Sequence, residues 1–561
     1  MTVLSETAHR VKTVRPVGTR AVLAELSGLQ DVLALQALLL EAPLPGQLDV
    51  LAAAETVMIK AESPSAARRM AALLMDMDLT APAHADGSLV VIDTVYDGDD
   101  LAEVAALTGL GTDGVIAAHS DQVWTVAFGG FAPGFGYMVG ENQVLEVPRR
   151  NSPRTAVPAG SVALAGNYSA VYPRSSPGGW QLIGRTGASM WDLSRPQPAL
   201  ARPGDRVRFR PVREAVAMAP PAAPETARQA LPEAARQPAT VTADAAAGAG
   251  PLVAGLRILS PGLQSLIQDL GRQGHAALGV SAAGALDRAS LRRANRLVGN
   301  GSSAAAVETV AGGLRVEAVG DQVLAVTGAP AALTIESPSD TGKPGRQRTV
   351  PAATAFALLD GEVLSMGAPE SGFRTYLAIR GGADVAPVLG SRSTDTMSGI
   401  GPAPLAAGQL LPAGHVTDSG VVGSPELQPE FPREGVTELD IVPGPRDDWF
   451  DDAALASLCG QSWQVTPQSN RVGMRLKGEP LRRSRDGELP SEGTVAGAIQ
   501  IPPEGLPVLF LADHPITGGY PVIGVVADEH LDRAAQVPIG GSIRFRIAPH
   551  APNANNNTRS E

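Results

Sequence analysis

Cysteine is almost absent from this sequence, since Cys459 is the only one among 561 residues. A single cysteine excludes an intrachain disulfide, and it excludes a zinc site built from several thiolates. We interpret Cys459 as a small core residue, because free cysteine is among the most frequently buried residue types. The eight histidines are scattered along the sequence, and we predict no metal site.

Long hydrophobic runs are also missing. The longest apolar stretch with helical spacing, Val32 to Leu40, is too short for a membrane span, which needs about 20 residues. Charged residues between Glu6 and Arg20 interrupt the start of the chain, so it lacks the apolar centre of a secretory signal. We therefore expect a cytoplasmic protein.

Positive charge is in deficit. The chain has 45 Lys and Arg against 57 Asp and Glu, with a formal net charge of −12 and a pI of about 5.3. Proteins that bind nucleic acid or anionic membranes usually show the opposite balance. We expect neither nucleic acid nor a membrane as a partner.

Familiar catalytic and nucleotide-binding signatures are missing as well. Neither H-E-x-x-H nor G-x-S-x-G occurs in the sequence. Gly109 to Gly114 match G-x-G-x-x-G, but they follow a helical pattern, whereas a dinucleotide-binding loop follows a strand. We interpret this match as a helix C-terminus and loop. Gly342-Lys343 lacks the rest of a P-loop, so that motif is not available to hold ATP.

Glycine and proline are abundant, at 62 and 47 residues, which is typical of short strands joined by tight turns. The length corresponds to about three to five domains. The clearest boundary is residues 211–250, where alanine, proline and glycine dominate. Such a segment buries too little surface to offset its ordering entropy, and we predict a flexible linker there.

The part before this linker starts with alternating strand and helix patterns. Its four predicted elements are Ala21–Leu26, Leu29–Leu40, Thr56–Lys60 and Ser65–Met75. They indicate a small α+β domain over residues 1–95. A predicted helix near Asp99–Thr108 comes next. After it, short strands with glycine and proline turns are typical of a barrel or sandwich. These strands are Val123–Phe128, Ser161–Ala165, Gln181–Ile183 and Arg206–Arg210.

The part after the linker is also rich in strand patterns. It contains one clear helix, Arg288–Val298, with Asp287 as N-cap and Gly299 as the C-terminal glycine. Near the end, two predicted strands, Ala496–Ile501 and Pro507–Ala512, flank the turn-forming residues 502–505. This spacing predicts a hairpin.

The two parts share an ordered set of short matches. Residues 176–184 resemble residues 516–524, and Gly160-Ser161-Val162 resembles Gly493-Thr494-Val495. A closing strand follows in each part, at residues 203–210 and 539–546. Three matches in the same order indicate a duplicated β domain. The alternative is similar turn chemistry that arose independently. Two related barrels that face each other would form a cleft, a common kind of ligand site.

Two motifs in the first part suggest a binding site. Residues 128–137, FGGFAPGFGY, follow a strand, and their glycines bring backbone N–H groups close to a ligand while aromatic rings supply walls. We select Phe131, Pro133, Gly134 and Phe135 as walls of a substrate pocket. In a nearby proline-fixed loop, Arg154 is positioned to clamp a carboxylate or phosphate. The alternatives are a packed turn and a solvated basic loop.

A second group of polar residues lies near the end of the chain. Arg471 and Arg475 are four residues apart, and we select both as anion clamps. Asp513 and His514 follow an apolar strand, a position suited to acid–base catalysis. The remaining predicted substrate-binding residues are Gln500, Gly518 and Gly519. The alternative for each is a hydrogen-bonded turn.

Several of these stretches together resemble one bacterial enzyme family, the 5-oxoprolinase subunits B and C. GFAPGFGY (130–137), PRTAVPAGSVALAG (153–166) and YPRSSPGGWQLIGRT (172–186) resemble the B subunit, also called allophanate hydrolase subunit 1. In the second part, residues 262–287, 294–300, 376–395 and 491–524 resemble the C subunit, or allophanate hydrolase subunit 2. The resemblance extends over most of residues 15–210 and 252–547, in that order.

This resemblance implies a mainly β fold with α+β parts. Each part would end in a cyclophilin-like β barrel and begin with a smaller α+β or β-rich domain. The implied domains are a small α+β domain, a first barrel, a linker, a β-rich region, a second barrel and a disordered tail. Their residues are 1–95, 96–210, 211–250, 251–430, 431–548 and 549–561.

The resemblance also implies a function. The chain would supply fused B and C components of an ATP-dependent 5-oxoprolinase, which opens 5-oxo-L-proline to L-glutamate and uses ATP with Mg²⁺. The family works with a separate A subunit of the LamB/YcsF type, and a homo-oligomer is left open. One alternative is carboxyl transfer from carboxybiotin to urea or a related amide. A second alternative is a binding protein that inhibits a sensor histidine kinase.

Overall fold

The computed structural model describes residues 10–79, 87–150, 152, 154–213, 253–339, 345–416, 420–433, 435–485, 487 and 489–548. Most of the predicted linker, residues 211–250, and the whole predicted tail, residues 549–561, lie outside them. The described chain is mainly β, as the sequence predicts, and it contains four folded regions.

The first region is a small α+β domain. Its four strands form an antiparallel sheet in the order β1-β2-β4-β3, and two helices cover it. Helix α2 begins behind Ser63, whose hydroxyl accepts a hydrogen bond from the N–H of Ala66 at 3.2 Å. The four elements predicted here are confirmed. The elements are β1 (Thr13–Pro16), β2 (Ala21–Glu25), α1 (Leu29–Glu41), β3 (Gln47–Ala52), β4 (Thr56–Ala61) and α2 (Pro64–Met75).

The second region is a seven-stranded sheet in the order β12-β9-β10-β7-β6-β13-β5. Val95 and Arg185 exchange two backbone hydrogen bonds, 2.9 and 2.8 Å long, which join its two outer strands into a nearly closed barrel. The barrel begins at Leu89, so the predicted boundary at residue 95 is late by one strand. Its elements are β5 (Leu89–Thr94), α3 (Leu101–Thr108), α4 (Gly111–Ser120), β6 (Trp124–Gly129), β7 (Gly136–Val139), β8 (Arg154–Val157), β9 (Ser161–Ala165), β10 (Tyr168–Val171), β11 (Ser176–Gly178), β12 (Gln181–Arg185) and β13 (Arg206–Pro211).

The Gly109–Gly114 segment illustrates a prediction that is half correct. Gly109 ends α3 in the left-handed conformation, with φ of 72°, as predicted for a helix C-terminus. The next turn is not a loop, because α4 begins at Gly111.

Among the described residues, no single helix is long and apolar enough to cross a membrane. Helices α3 and α4, which are bent by 92° relative to each other, reach the length and hydrophobicity of a membrane span only when they are taken together.

The third region is a sandwich of two sheets that share one apolar core. One sheet has the order β20-β19-β22-β17-β14-β24, and the other has the order β15-β16-β23-β18-β21. Asp287 caps helix α5 as predicted, by accepting the N–H of Ser290 at 2.8 Å. The elements are β14 (Gly255–Pro261), β15 (Gln264–Gln268), α5 (Arg288–Leu297), β16 (Ala306–Val310), β17 (Leu314–Val319), β18 (Gln322–Gly328), β19 (Ala331–Glu336), β20 (Gln347–Thr349), β21 (Ala355–Leu358), β22 (Val363–Pro369), β23 (Arg374–Ile379) and β24 (Leu410–Pro412).

The fourth region is a closed barrel in the order β25-β32-β29-β30-β27-β26-β33. The predicted hairpin is present, since β29 pairs with β30 on either side of residues 502–505. The elements are β25 (Val436–Pro443), α6 (Asp452–Gly460), β26 (Trp463–Val465), β27 (Gly473–Lys477), β28 (Glu492–Gly493), β29 (Ala498–Gln500), β30 (Val508–Phe510), β31 (Thr517–Gly518), β32 (Val522–Val526), α7 (Asp528–Ala535) and β33 (Ser542–Ile547).

The two barrels have the same topology. Strands β5 to β13 of the first correspond in order and pairing to β25 to β33 of the second, including the parallel pairs β5–β13 and β25–β33. The small sheets β8–β11 and β28–β31 also correspond, with Arg154 opposite Gly178 and Glu492 opposite Gly518. The predicted match of Gly160 with Gly493 is wrong in register, because Gly493 lies inside β28 whereas Gly160 follows β8. The duplication itself is confirmed.

The small α+β domain packs on the second barrel. Its buried residues Leu23, Leu51 and Met58 share an apolar cluster with Ala498 and Val525 of that barrel. Ionic contacts support the same surface: Arg446 binds Glu25, and Arg20 binds Asp528. The two parts of the sequence therefore pack against each other and are not independent domains joined only by a linker.

Candidate functional site

The glycine-rich turn of the first barrel lies against the second part of the chain. The N–H of Phe131 donates to Thr517 Oγ1 at 3.1 Å, and the N–H of Gly134 donates to the carbonyl of Leu278 at 3.2 Å. Thr517 belongs to β31, beside the predicted residues Gly518 and Gly519. The glycine-rich turn of the first barrel and the turn at residues 517–519 of the second barrel therefore meet in one junction.

Close contacts with the second part of the chain explain two glycines of this turn. A Cβ on Gly129 would lie 2.4 Å from the carbonyl oxygen of Ala277, and a Cβ on Gly130 would lie 2.6 Å from Thr517 Oγ1. Any side chain at Gly129 would therefore push the two parts of the chain apart. Phe131 has a φ of 60°, a left-handed conformation that is unusual for a bulky residue and is often found at functional sites.

Aromatic rings form a wall behind the turn. Phe131 contacts Phe135 edge to face, with ring centroids 5.2 Å apart, and Phe135 contacts Tyr172 and Trp180 in the same manner at 5.3 and 5.5 Å. Pro133 is buried in the turn. A void of ≈ 10 Å³, large enough for about one water molecule, lies beside it and is lined by Gly134 and Phe135 together with residues 277–278 of the second part.

Tyr137 connects the aromatic wall to the second part. Burial raises the pKa of its hydroxyl, while Arg149 and hydrogen bonds with Ser491 and Thr517 oppose that rise. Ser491 and Thr517 both belong to the second barrel. The phenol is therefore held neutral at the junction, where it is able to donate or accept a hydrogen bond.

Arg154 is bound within its own barrel. Its guanidinium makes two hydrogen bonds of 2.8 Å to Asp100, which also accepts the N–H of Leu182 at 2.7 Å. Burial of Asp100 acts to raise the pKa of its carboxyl, but the bonds from Arg154 and Leu182 outweigh it and lower that pKa. The placement of Arg154 therefore favours a structural ion pair over a free anion clamp.

The second barrel contains the same ion pair with its charges exchanged. Arg446 occupies the position of Asp100, because their N–H groups donate to the equivalent carbonyls of Val522 and Leu182. Glu492 occupies the position of Arg154, and Arg446 binds it. Arg446 additionally binds Glu25 of the α+β domain. The reversal of charge thus gives the second barrel a docking contact that the first barrel lacks.

Arg471 is the centre of a buried network that joins the sandwich to the second barrel. Its guanidinium donates to both oxygens of Asp513, at 3.0 and 2.9 Å, to the carbonyl of Gly284 at 2.6 Å, and to Glu308. Tyr376 donates to the other oxygen of Glu308 at 2.7 Å. Burial acts to lower the pKa of Arg471, but Asp513 and Glu308 outweigh it and raise that pKa. Arg471 is therefore a charged structural centre, and its bonds to protein groups leave little for a substrate.

Asp513 faces away from bulk solvent, with an exposed fraction of 0%. Besides Arg471, it binds the N–H and the hydroxyl of Thr396, at 2.9 and 2.7 Å. Thr396 is exposed, so the buried carboxylate of Asp513 fixes the position of a hydroxyl at the protein surface.

The sequence analysis did not predict four residues of these sites: Thr396, Thr517, Glu308 and Tyr376. A single threonine, glutamate or tyrosine has no recognisable spacing in the sequence, and only the fold brings it to the site.

His514 is also buried, and its ring stacks on Phe510 with centroids 5.8 Å apart. Its Nδ1 lies 2.8 Å from the carbonyl oxygen of Pro515, so Nδ1 carries the hydrogen. Burial, aided by the charge of Lys60, lowers the pKa of His514 to about 3. The ring is therefore neutral near pH 7, and it has no proton to give as an imidazolium.

Acid should destabilise the protein through its buried histidines. Burial also lowers the pKa of His119 to about 3, whereas an unfolded histidine titrates near 6.5. Below that pH the unfolded chain takes up protons that the folded chain does not, so the free energy of unfolding falls with decreasing pH. We expect a loss of about 2 kcal/mol per histidine between pH 7 and pH 5. Thermal unfolding of His514→Asn at several pH values should show a shallower slope than the parent, and equal slopes would contradict this assignment.

The other predicted residues lie on strands and turns of the second barrel. Gln500 is buried and donates to the carbonyl of Tyr520 at 3.0 Å, and a Cβ on Gly518 would lie 2.5 Å from its amide nitrogen. Gly519 lies in the same turn. Arg475 is exposed on β27, apart from the Arg471 network. The two predicted clamps thus occupy very different environments.

Comparison with known proteins gives two matches to domain models. The model "Carboxyltransferase domain, subdomain C and D" matches residues 12–201, and "Carboxyltransferase domain, subdomain A and B" matches residues 278–547. The chain is 36% identical to the 5-oxoprolinase C subunit of Escherichia coli K12 over 292 residues, which is 52% of this chain and 90% of that protein. It is 47% identical to the 5-oxoprolinase B subunit of Escherichia coli O157:H7 over 134 residues, 23% of this chain and 62% of that protein.

Two further similarities extend the comparison. The crystal structure of TTHA0988 superposes with a TM-score of 0.77 at 33% identity, over 94% of this chain and 99% of that one. The urea amidolyase of Saccharomyces cerevisiae is 30% identical over 314 residues, which is 52% of this chain but only 16% of that much longer protein. The similarity to TTHA0988 therefore includes both parts of the chain, packed together within one polypeptide.

Proposed function

We propose, from the premise that this chain belongs to the carboxyltransferase-domain family of 5-oxoprolinase subunits B and C, that it is the fused B and C component of an ATP-dependent 5-oxoprolinase. In this proposal it assists the activation of the lactam of 5-oxo-L-proline in the cytoplasm. Hydrolysis to L-glutamate uses ATP with Mg²⁺ and is completed with a separate A subunit of the LamB/YcsF type.

The junction between the barrels is the observation that carries this proposal. The contact of Phe131 N–H with Thr517 Oγ1 at 3.1 Å brings a turn of the first barrel and a turn of the second barrel to one place. Charge develops on a carbonyl oxygen when a stable amide is activated, and N–H and hydroxyl groups stabilise it when they are held in position beforehand. The proposed pocket therefore has Phe131, Pro133, Gly134 and Phe135 as its wall. Neutral Tyr137 and Thr517 are its hydrogen-bonding groups.

The polar residues of the second barrel receive revised roles in the proposal. Asp513 acts as a positioning residue, because its carboxylate holds the exposed hydroxyl of Thr396. Burial raises the pKa of Asp513, and Arg471 opposes that rise while it holds Asp513 and Glu308 in place. His514 contributes as a neutral ring that fixes the turn at Pro515. Gln500, Gly518 and Gly519 shape the turn that carries Thr517.

The experiment is a reconstitution. The chain is purified alone and with a co-expressed LamB/YcsF-type protein, and the release of ADP is measured with and without 5-oxo-L-proline. We expect release that depends on 5-oxoproline only when both proteins are present, because the proposed chemistry is divided between them. Full turnover by the chain alone would contradict the division, and no turnover with an active A subunit would contradict the substrate.

Carboxyl transfer is the second candidate function. Both domain models are named for a carboxyltransferase domain, and a stretch of urea amidolyase is similar to about half of this chain. Urea and 5-oxoproline both present an amide whose carbonyl must be polarised. Addition of a carboxybiotin carrier with urea should then replace the requirement for ATP and the A subunit. Activity that depends on biotin would favour this candidate.

A further inference from the structure

A cleft of ≈ 240 Å³ opens to solvent beside the strand end that carries Asp513 and His514. Its charged residues come from three segments: the turn before β2 with Arg20, the start of α5 with Arg288 and Arg292, and α7 with Asp528 and Asp532. Residues 496 and 510–512 of the second barrel complete the lining. Its volume lies just below the range of roughly 300–1,000 Å³ that is typical of small-molecule and cofactor sites, and a ligand would extend from it into solvent. The function proposed above gives it no role.

The two carboxylates of the cleft, Asp528 and Asp532, already have hydrogen-bond partners within the protein. Asp528 pairs with Arg20 and accepts the hydroxyl of Thr19 at 3.2 Å. Asp532 accepts the N–H groups of Arg288 and Ala289, at 2.8 and 3.2 Å, which satisfies the first turn of α5. An anion that enters the cleft therefore finds the free amides of the helix occupied and must bind side chains.

Two guanidinium groups are left. The side chains of Arg288 and Arg292 make no hydrogen bond or close ion pair with any residue that the structure describes, although the charge of Asp532 attracts both. In contrast, Arg293 and Arg296 of the same helix both pair with Glu426. Residues four apart lie on one face of a helix, and like charges there destabilise it by roughly 0.2–0.5 kcal/mol. A bound anion would remove this repulsion.

The chemistry of the pair points to a phosphate group. A guanidinium presents a planar fork of donors that matches the oxygens of phosphate, and such contacts are strong because both partners are charged. The lining of the cleft also includes the apolar side chains of Leu286, Phe510 and Leu531. A ligand that matches both kinds of lining has phosphate groups and a flat apolar group.

We propose that this cleft binds a nucleotide, with Arg288 and Arg292 on its phosphates and the base against Phe510 and Leu531. The inference rests on the proposed function only for the identity of the nucleotide as ATP. It offers a phosphate site in a sequence that has no P-loop. Arg288 and Arg292 are its binding residues, and the helix N-terminus contributes no free amide.

The test is direct binding to the purified full chain without an A subunit. ATP, tripolyphosphate and adenosine are titrated calorimetrically against the parent, Arg288→Gln and Arg292→Ala. We expect saturable binding of ATP and of tripolyphosphate, and a loss of affinity of roughly tenfold or more in each variant, since each removes a charged hydrogen-bond donor. Arg296→Ala, which removes the same charge from the paired face of α5, is the matched control and should bind like the parent.

The outcomes separate the site from the function. The proposed site is wrong if ATP does not bind, or if both arginine variants bind ATP like the parent. This conclusion holds even if 5-oxoproline turnover with an A subunit is observed. Binding lost in both variants supports the site, even if no 5-oxoproline turnover is found with any A subunit. Thermal unfolding of each variant shows that the fold is intact, and exposed Arg292 is the variant least able to disturb it.

Discussion

Replacing Arg471 with methionine is expected to lower the free energy of unfolding by about 3–5 kcal/mol. The variant leaves Asp513 and Glu308, with exposed fractions of 0% and 1%, as buried carboxylates without their common partner. Removing one member of a buried ion network costs far more than the network itself contributes, because the remaining charges are not solvated. Denaturant unfolding, followed at the transition that includes the second barrel, measures the effect.

Arg475→Met is the matched control for this prediction. Arg475 lies four residues further along the chain and is exposed, so its loss should change stability by no more than about 0.5 kcal/mol. The double variant Arg471→Met with Asp513→Leu should recover part of the loss, since one stranded carboxylate is also removed. Equal stability of Arg471→Met and the parent, together with lost activity, would instead support the sequence-based prediction that Arg471 clamps a substrate anion.

Gly129→Val is expected to lower the rate of the reconstituted reaction about a hundredfold. The new side chain has no space, because even a Cβ at this position would lie 2.4 Å from the backbone carbonyl of Ala277. A backbone atom cannot rotate away, so the glycine-rich turn and the second part must separate. A displacement of about 1 Å at a reacting group is enough for such a loss of rate.

Amide hydrogen exchange tests the same variant without any assumption about the substrate. The N–H groups of Phe131 and Gly134 donate across the junction, so both should exchange faster in Gly129→Val. Gly187→Ala is the control in the same barrel, since a Cβ there meets nothing within 4 Å. Unchanged exchange in peptides that span residues 130–137 would show that the junction is not maintained by this contact.

Local patterns in the sequence predict much of the fold. The periodicity of Leu29–Leu40 and the cap at Asp287 are properties of neighbouring residues, and both helices are found where they are expected. The barrel boundary is less accurate, because β5 pairs in parallel with β13, more than a hundred residues later. Such pairing is invisible to a local pattern, and a single strand next to a helix is easily assigned to the preceding domain.

The site illustrates the same limit. The glycine-rich motif at residues 128–137 lies where the two barrels meet, and glycines at close contacts leave a mark in the sequence. The sequence does not reveal what the arginines Arg471 and Arg475 bind. Arg471 and Arg475 look alike in sequence, yet the fold buries one between two carboxylates and leaves the other in water. Burial and partners are properties of the assembled chain, and they decide what a charged side chain does.

The contact between the α+β domain and the second barrel forms differently in a fused chain and in two separate chains. In relatives where the B and C components are separate proteins, the apolar surface around Leu23 and Met58 would have to find its partner from solution. In a single polypeptide the same encounter is intramolecular, at an effective concentration set by the connecting segment rather than by expression level. Dilution should dissociate a two-chain relative but leave the fused chain assembled, and a variant weakened at Arg446 would be tolerated far better in the fusion than in the pair.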